Sequence, residues 1–142
     1  MKKHYKYTFK EIFLGQKEDF HVVISQEMQE MFHKISGDNH ILHTDENYAK
    51  SVGYPGVLVY GGLTASLYSR VVGTLFCVEG CMSLNYDIKY RNLVYVGDTL
   101  HVTGEVVEKN DTFKLITIKA LIRNQNDVIV SSANLKIGSK LS

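Results

Sequence analysis

The chain has 142 residues, close to the roughly 150 of one domain, with 44% hydrophobic and 22% charged residues and a single proline, Pro55. That composition can fill a core and excludes the polar, highly charged signature of disorder. With 16 Lys+Arg against 15 Asp+Glu, a net charge of +1, and the basic residues scattered along the chain, nucleic acid is excluded as the main partner. Residues 1–142 are therefore expected to form a single domain, with little room for a private cavity, so that a large ligand would need a groove between subunits. No apolar run approaches the roughly 20 residues of a membrane helix. The basic start Met1-Lys2-Lys3-His4-Tyr5-Lys6 leads into no signal-peptide core, and a cytoplasmic address is expected. Cys77 and Cys81, the two cysteines, are too few for a disulfide framework or a structural zinc site and read as small apolar residues at a helix end.

In chain order, Phe20, Val22 and Ile24 mark a short strand, and Ser25 can cap a helix carrying Met28, Met31, Phe32 and Ile35 that Gly37 stops. Thr44 or Asp45 can cap a brief helix through Ala49 and Val52, ended by Gly53 and the extended Tyr54-Pro55. The segment from Leu63 to Phe76 has one charged residue, Arg70, and is small or apolar nearly all round, the pattern of a buried helix. From residue 82 the period becomes two. Met82, Leu84, Tyr86, Ile88 and Tyr90 alternate with polar residues; Leu100, Val102 and Val106 follow the turn at Gly97-Asp98. Phe113 to Ile122 shifts its apolar phase between Leu115 and Ile116, as a bulge or two-sided burial would explain, and Ile129, Ala133, Leu135 and Ile137 form a last strand. This half reads as about four strands in an antiparallel meander. An antiparallel sheet of about five strands wrapped around one central helix, in the α+β class, satisfies the whole pattern.

Four of the six histidines have plain readings: His21 and His101 fall at polar phases of strands, and His4 and His33 lie in the basic tail and on a short helix. His40 and His43 stand apart because the run Ser36-Gly37-Asp38-Asn39-His40-Ile41-Leu42-His43-Thr44-Asp45 gathers acid and base groups between two helices. An Asp and a His five residues apart on a curling loop, Asp38 and His43, can address one water as general acid and base. The same run is also compatible with an Asx-turn at Asp38 and a capping Asp45, or, more remotely, with a metal on His40, His43 and Asp45. Tyr60-Gly61-Gly62 begins the central helix. Two glycines there leave backbone N–H groups open to a ligand oxygen, an oxyanion hole, or else simply allow close packing of helix and sheet.

At these residues the chain resembles the MaoC-like hydratases and dehydratases, in particular the (R)-specific enoyl-CoA hydratases, whose motif Ser-Gly-Asp-x-Asn-Pro-x-His-x-Asp matches residues 36–45. The family's His-Gly at the start of the helix is similar to Tyr60-Gly61, and Val96-Gly97-Asp98-Thr99-Leu100 is similar to its late signature, so the resemblance runs from about Phe20 to the C-terminus. The resemblance implies the hot-dog fold. It places the catalytic Asp and His on Asp38 and His43, the oxyanion donor on the N–H of Gly61 and the helix serine on Ser69. It implies hydration of trans-2-enoyl thioesters of coenzyme A or acyl carrier protein to (R)-3-hydroxyacyl thioesters, or the reverse, with no metal or redox cofactor. Where the family has Asn, Pro and His, this chain has His40, Ile41 and Tyr60. His40, Tyr60 and Gly62 are accordingly expected to contact substrate.

Two alternatives remain beside this reading. Hot-dog thioesterases often carry a carboxylate on the central helix, and residues 62–76 hold neither Asp nor Glu. The substitutions at His40, Ile41 and Tyr60 also allow a non-catalytic acyl-thioester-binding subunit. A sheet around one helix leaves an edge that a homodimer or higher homo-oligomer would cover.

Overall fold

The computed structural model describes residues 4–139. After a 3₁₀ turn at Phe9–Glu11 comes strand β1 (Lys17–Val23), and Ser25 caps helix α1 (Gln26–Ser36) by accepting the Met28 N–H. Gly37 ends α1 in the left-handed region, φ 70°, with its N–H on the His33 carbonyl. Two short helices follow, α2 (Ile41–Thr44) and α3 (Glu46–Ser51), and then α4 (Gly61–Arg70). The remaining strands are β2 (Cys81–Tyr90), β3 (Thr99–Asn110), β4 (Leu115–Arg123) and β5 (Ile129–Ser139). Among the described residues, no helix is long and apolar enough to cross a membrane.

The five strands form one antiparallel sheet in the order β1-β3-β4-β5-β2. The expected four-strand meander therefore needs correcting: only β3, β4 and β5 are consecutive neighbours, while β2 lies at one edge beside β5 and the chain crosses to β3 through residues 91–98. Alternation along a strand records which face is buried and nothing about the neighbour. On β2 even the alternation is broken, by a register shift between Ser83 and Asn85, which leaves Tyr86 and Ile88 half-buried and Met82, Leu84 and Tyr90 exposed. The phase shift near Leu115 resolves as two-sided burial. Ile116, Ile118, Ala120 and Ile122 face the core while Leu115 and Leu121 are half-buried on the other face, and the irregular register lies between Val106 and Glu108 of β3.

The central helix starts at Gly61 with Tyr60 as its N-cap, as the Tyr60-Gly61-Gly62 entry predicts, and its second half is a π-helix, Val71–Phe76, ending at Cys77 with φ 38°. The widening has a packing consequence. Val71 and Phe76, five residues apart, share one face only in the wider π turn, and both are fully buried over β3, where a Cβ on Gly104 would run into Val71 Cγ1. Tyr68, also fully buried, donates to Ser131 Oγ at 2.7 Å, and Ser131 Oγ donates to the Lys89 carbonyl at 2.9 Å, tying the helix to β5 and β2. Burial all round does not hold, however: Gly62, Ser66, Ser69 and Gly73 lie on an outward face of the helix. The core beneath combines Tyr68, Val71 and Phe76 with Leu100, Val102, Val106, Ile116, Ile118, Ile122, Leu135 and Ile137. Each such side chain contributes roughly 1.5–3 kcal/mol when fully buried.

Candidate active site

The loop after α1 is held by its own side chains. Asp38 Oδ1 accepts the His40 N–H at 3.0 Å, an Asx-turn, and His40 caps α2 by accepting the Leu42 N–H on Nδ1 at 3.2 Å. Asp45, and not Thr44, caps α3, accepting the Tyr48 N–H at 2.9 Å. Two of the groups offered for a metal, His40 and Asp45, are thus turned to helix caps. Asp38 is exposed, and its second carboxylate oxygen has no hydrogen bond among the described residues.

His43 is half-buried on α2, with Nδ1 2.6 Å from the Leu58 carbonyl. A carbonyl only accepts, so Nδ1 carries a proton, and in the neutral ring the lone pair that a general base requires falls on Nε2. Tyr60, 1% exposed, joins the two expected acid-base groups: its ring stacks on His43 with centroids 4.2 Å apart, and its hydroxyl donates to the backbone carbonyl of Asp38 at 2.5 Å. Burial and the nearby Asp38 carboxylate push the Tyr60 phenol up from its ordinary range, keeping it a donor.

Immediately after Tyr60, the N–H groups of Gly61, Gly62 and Leu63 form the open first turn of α4; the first amide to find a helical partner is Thr64, on the Tyr60 carbonyl. These donors, which have no partner among the described residues, and the helix dipole favour a developing negative charge. His43 and Gly61 line one cavity of about 180 Å³, with Leu58, Val59, Leu93, Val94 and Val130 as its apolar wall and Tyr90 beside Gly61. A larger groove, of about 590 Å³ between Gln26, Thr44, Tyr95 and Asp98, includes neither His43 nor Gly61.

The fold thus puts His43 and Gly61 on one cavity and ties the Asp38 main chain to His43 through Tyr60, with the His40 ring edge-on to His43 at 5.8 Å; Asp38, His40 and Tyr60 do not line that cavity. Gly62 faces another way: a Cβ there would run into Phe32 Cζ of α1, which makes it a packing glycine as well as a donor of the first turn. Ser69 is not brought to this group. It lies eight residues along α4 from Gly61, about 12 Å by helical rise, beside Val72, Gly73 and Tyr86. Gln29, which the sequence reading passed over, is 2% exposed and bonds three pieces of the site: Nε2 donates to the His43 and Leu58 carbonyls at 3.1 and 2.9 Å, and Oε1 accepts the Tyr60 N–H at 3.3 Å. Its signal was a polar side chain in helical phase with Met28 and Phe32.

One sheet wrapped on one helix, with an acid-base loop at the helix N-terminus, defines a hot-dog protein of the hydratase and dehydratase kind. The profile of the MaoC like domain matches residues 11–127, and the chain belongs to that family. An (R)-specific enoyl-CoA hydratase of Rhodospirillum rubrum is 29% identical over 126 residues, covering 86% of this chain and 85% of that protein. The unliganded R-hydratase PhaJ1 of Pseudomonas aeruginosa superposes with a TM-score of 0.86 at 25% identity, over 92% of this chain and 84% of that one. The (R)-hydratase of Aeromonas caviae, involved in PHA biosynthesis, gives 0.87 at 22% identity over 92% and 98%, a likeness of fold.

Proposed function

We propose that this chain is a hydro-lyase that adds water to trans-2-enoyl thioesters to give (R)-3-hydroxyacyl thioesters, or catalyses the reverse dehydration. The observation that carries the reading is the cavity that His43 and Gly61 line together, with the His43 ring fixed through Nδ1 on the Leu58 carbonyl and Gly61 opening the first turn of α4. In the forward direction His43 and Asp38 hold a water and take its proton as the oxygen bonds to C3. The electrons of the double bond move onto the thioester oxygen, where the Gly61 N–H and the helix dipole stabilise the enolate. C2 then takes the proton back from the dyad, so that H and OH have been added and nothing else is consumed. The chemistry calls for no metal or redox group; coenzyme A or acyl carrier protein enters only as part of the substrate, for which a cytoplasmic address is the natural one. The relatives named as (R)-specific hydratases support the stereochemistry.

The expected result with crotonyl-CoA is loss of the conjugated-thioester absorbance. Positioned acid-base groups contribute roughly 10²–10⁴ in rate, so Asp38→Asn and His43→Ala should each lose that much while folding normally. Unchanged activity in both would overturn the mechanism.

We also propose a homodimer formed through β2. This ten-residue edge strand has one neighbour and exposes Met82 and Leu84 at 51% each and Tyr90 at 60%, an apolar edge that a soluble monomer would not leave open. Light scattering should give twice the chain mass, and a charge at Leu84 should halve it.

A further inference from the structure

On the outer face of the sheet, remote from the loop of Asp38 and His43, three potential ligands meet across β1 and β3. His21 and His101 are direct register partners, their rings stacked 4.0 Å apart and 3° from parallel. Asp19 is two residues before His21, hence on the same face, and its Oδ2 lies 2.8 Å from His101 Nε2. The stack is the one ring contact of His21 among the described residues, and neither of its ring nitrogens is hydrogen-bonded to them.

We propose that Asp19, His21 and His101 bind a divalent transition-metal ion, with zinc the reference case, and that the ion staples the edge strand β1 to β3. One ligand atom from each residue already lies within 4.8 Å of the other two. A tetrahedral zinc with bonds of about 2.0–2.1 Å needs its ligands about 3.4 Å apart, so the groups must close by at most about 1.4 Å. Binding would tilt the two imidazoles out of their parallel stack, so that their in-plane lone pairs converge, and exchange the 2.8 Å Asp19–His101 hydrogen bond for two bonds to the ion, on strands that antiparallel pairing holds in register. Two imidazoles and a carboxylate suit Zn²⁺, Co²⁺ and Ni²⁺ and not the all-oxygen preference of Mg²⁺, and three protein ligands leave the fourth position to water. The neighbouring ionic groups do not overwhelm the site. Arg123, the register partner of His101 on β4, is held by Asp127 at 3.4 Å, and Glu105 lies between its partners Lys17 and Lys119. Binding to the folded chain alone would raise its stability with metal concentration.

The test is calorimetric titration of the full, tag-free chain with ZnCl₂, together with melting curves in ZnCl₂, MgCl₂ and EDTA. One zinc per chain is expected, with a higher melting temperature in zinc than in magnesium or EDTA, and Co²⁺ should give the visible absorption of a tetrahedral site. His21→Ala and His101→Ala should each weaken binding at least 10-fold, and the double variant should lose both the heat and the melting shift while retaining its circular dichroism and its turnover of crotonyl-CoA. No saturable binding to the parent chain at millimolar zinc, or the same stoichiometry and affinity in the folded double variant, would overturn the proposal.

Discussion

The Tyr60 hydroxyl donates to the main-chain carbonyl of Asp38, so a side chain at the start of the central helix holds the loop that carries the expected acid. The same ring stacks on His43, the two planes 29° apart. Tyr60→Phe keeps the stack and removes only the tether. About 0.5–1.5 kcal/mol of stability should be lost, the net contribution of one hydrogen bond. Turnover should fall further, since loosening a reacting group by an ångström can cost roughly 10²-fold. Steady-state kinetics on crotonyl-CoA beside urea denaturation separates the two effects; a kcat loss with little change in KM is expected.

Gln29 has the opposite profile, out of reach of solvent yet bonded to His43, Leu58 and Tyr60. Gln29→Leu retains most of the volume and orphans the Tyr60 N–H and the His43 carbonyl. A buried group left without its partner costs about 1–3 kcal/mol. Denaturant midpoints should shift accordingly, and the affinity for substrate should weaken as the Leu58 carbonyl, which fixes the proton on His43 Nδ1, is freed to move.

Local chemistry was legible in the chain and long-range pairing was not. Ser25, Gly37 and Asp45 cap and stop helices where residue type alone predicts, and the loop of Asp38 and His43 was marked by its own spacing. Which strand lies beside β2 depends on a crossover that no alternation records, so alternation alone predicts β2 beside β3 where the fold places it beside β5. The π turn of Val71 and Phe76 packs closely on Gly104, a contact between distant segments that residue type does not announce. For the same reason His21 and His101 read as two solvated histidines: only the register of β1 on β3 makes them a pair.

Gly62 tests packing against anion binding. Gly62→Ala should destabilise, because its Cβ would run into Phe32 Cζ and the ring must swing aside. Adding Phe32→Leu should restore most of the loss, and a thermal-melt double-mutant cycle measures the coupling. Were the glycine needed only for an anion, the alanine would leave stability unchanged and the second substitution would rescue nothing.

Alkaline pH should destabilise the fold, and beside the smaller upward shifts of Tyr5, Tyr60 and Tyr95 the two large contributions come from the Tyr68 and Cys81 protons. Burial pushes the Tyr68 phenol from 10.0 up to about 12 and the Cys81 thiol from 9.0 up to about 11. Both groups keep their protons longer in the folded chain than in the unfolded one, so above pH 9 the native state binds more protons and stability must fall as pH rises. The Cys81 contribution is lost from pH 9 to 11 and that of Tyr68 from pH 10 to 12, the latter amounting to roughly 2–3 kcal/mol for a shift of this size. Below pH 9 neither group makes stability depend on pH. Tyr68→Phe should flatten the slope between pH 10 and 12 by about one proton while leaving the Cys81 part, and Cys81→Ser should do the reverse. Urea midpoints measured from pH 8 to 12 read both slopes, and a Tyr68→Phe chain that unfolded along the parent's curve would show that the phenol is not held neutral by its place beneath β5.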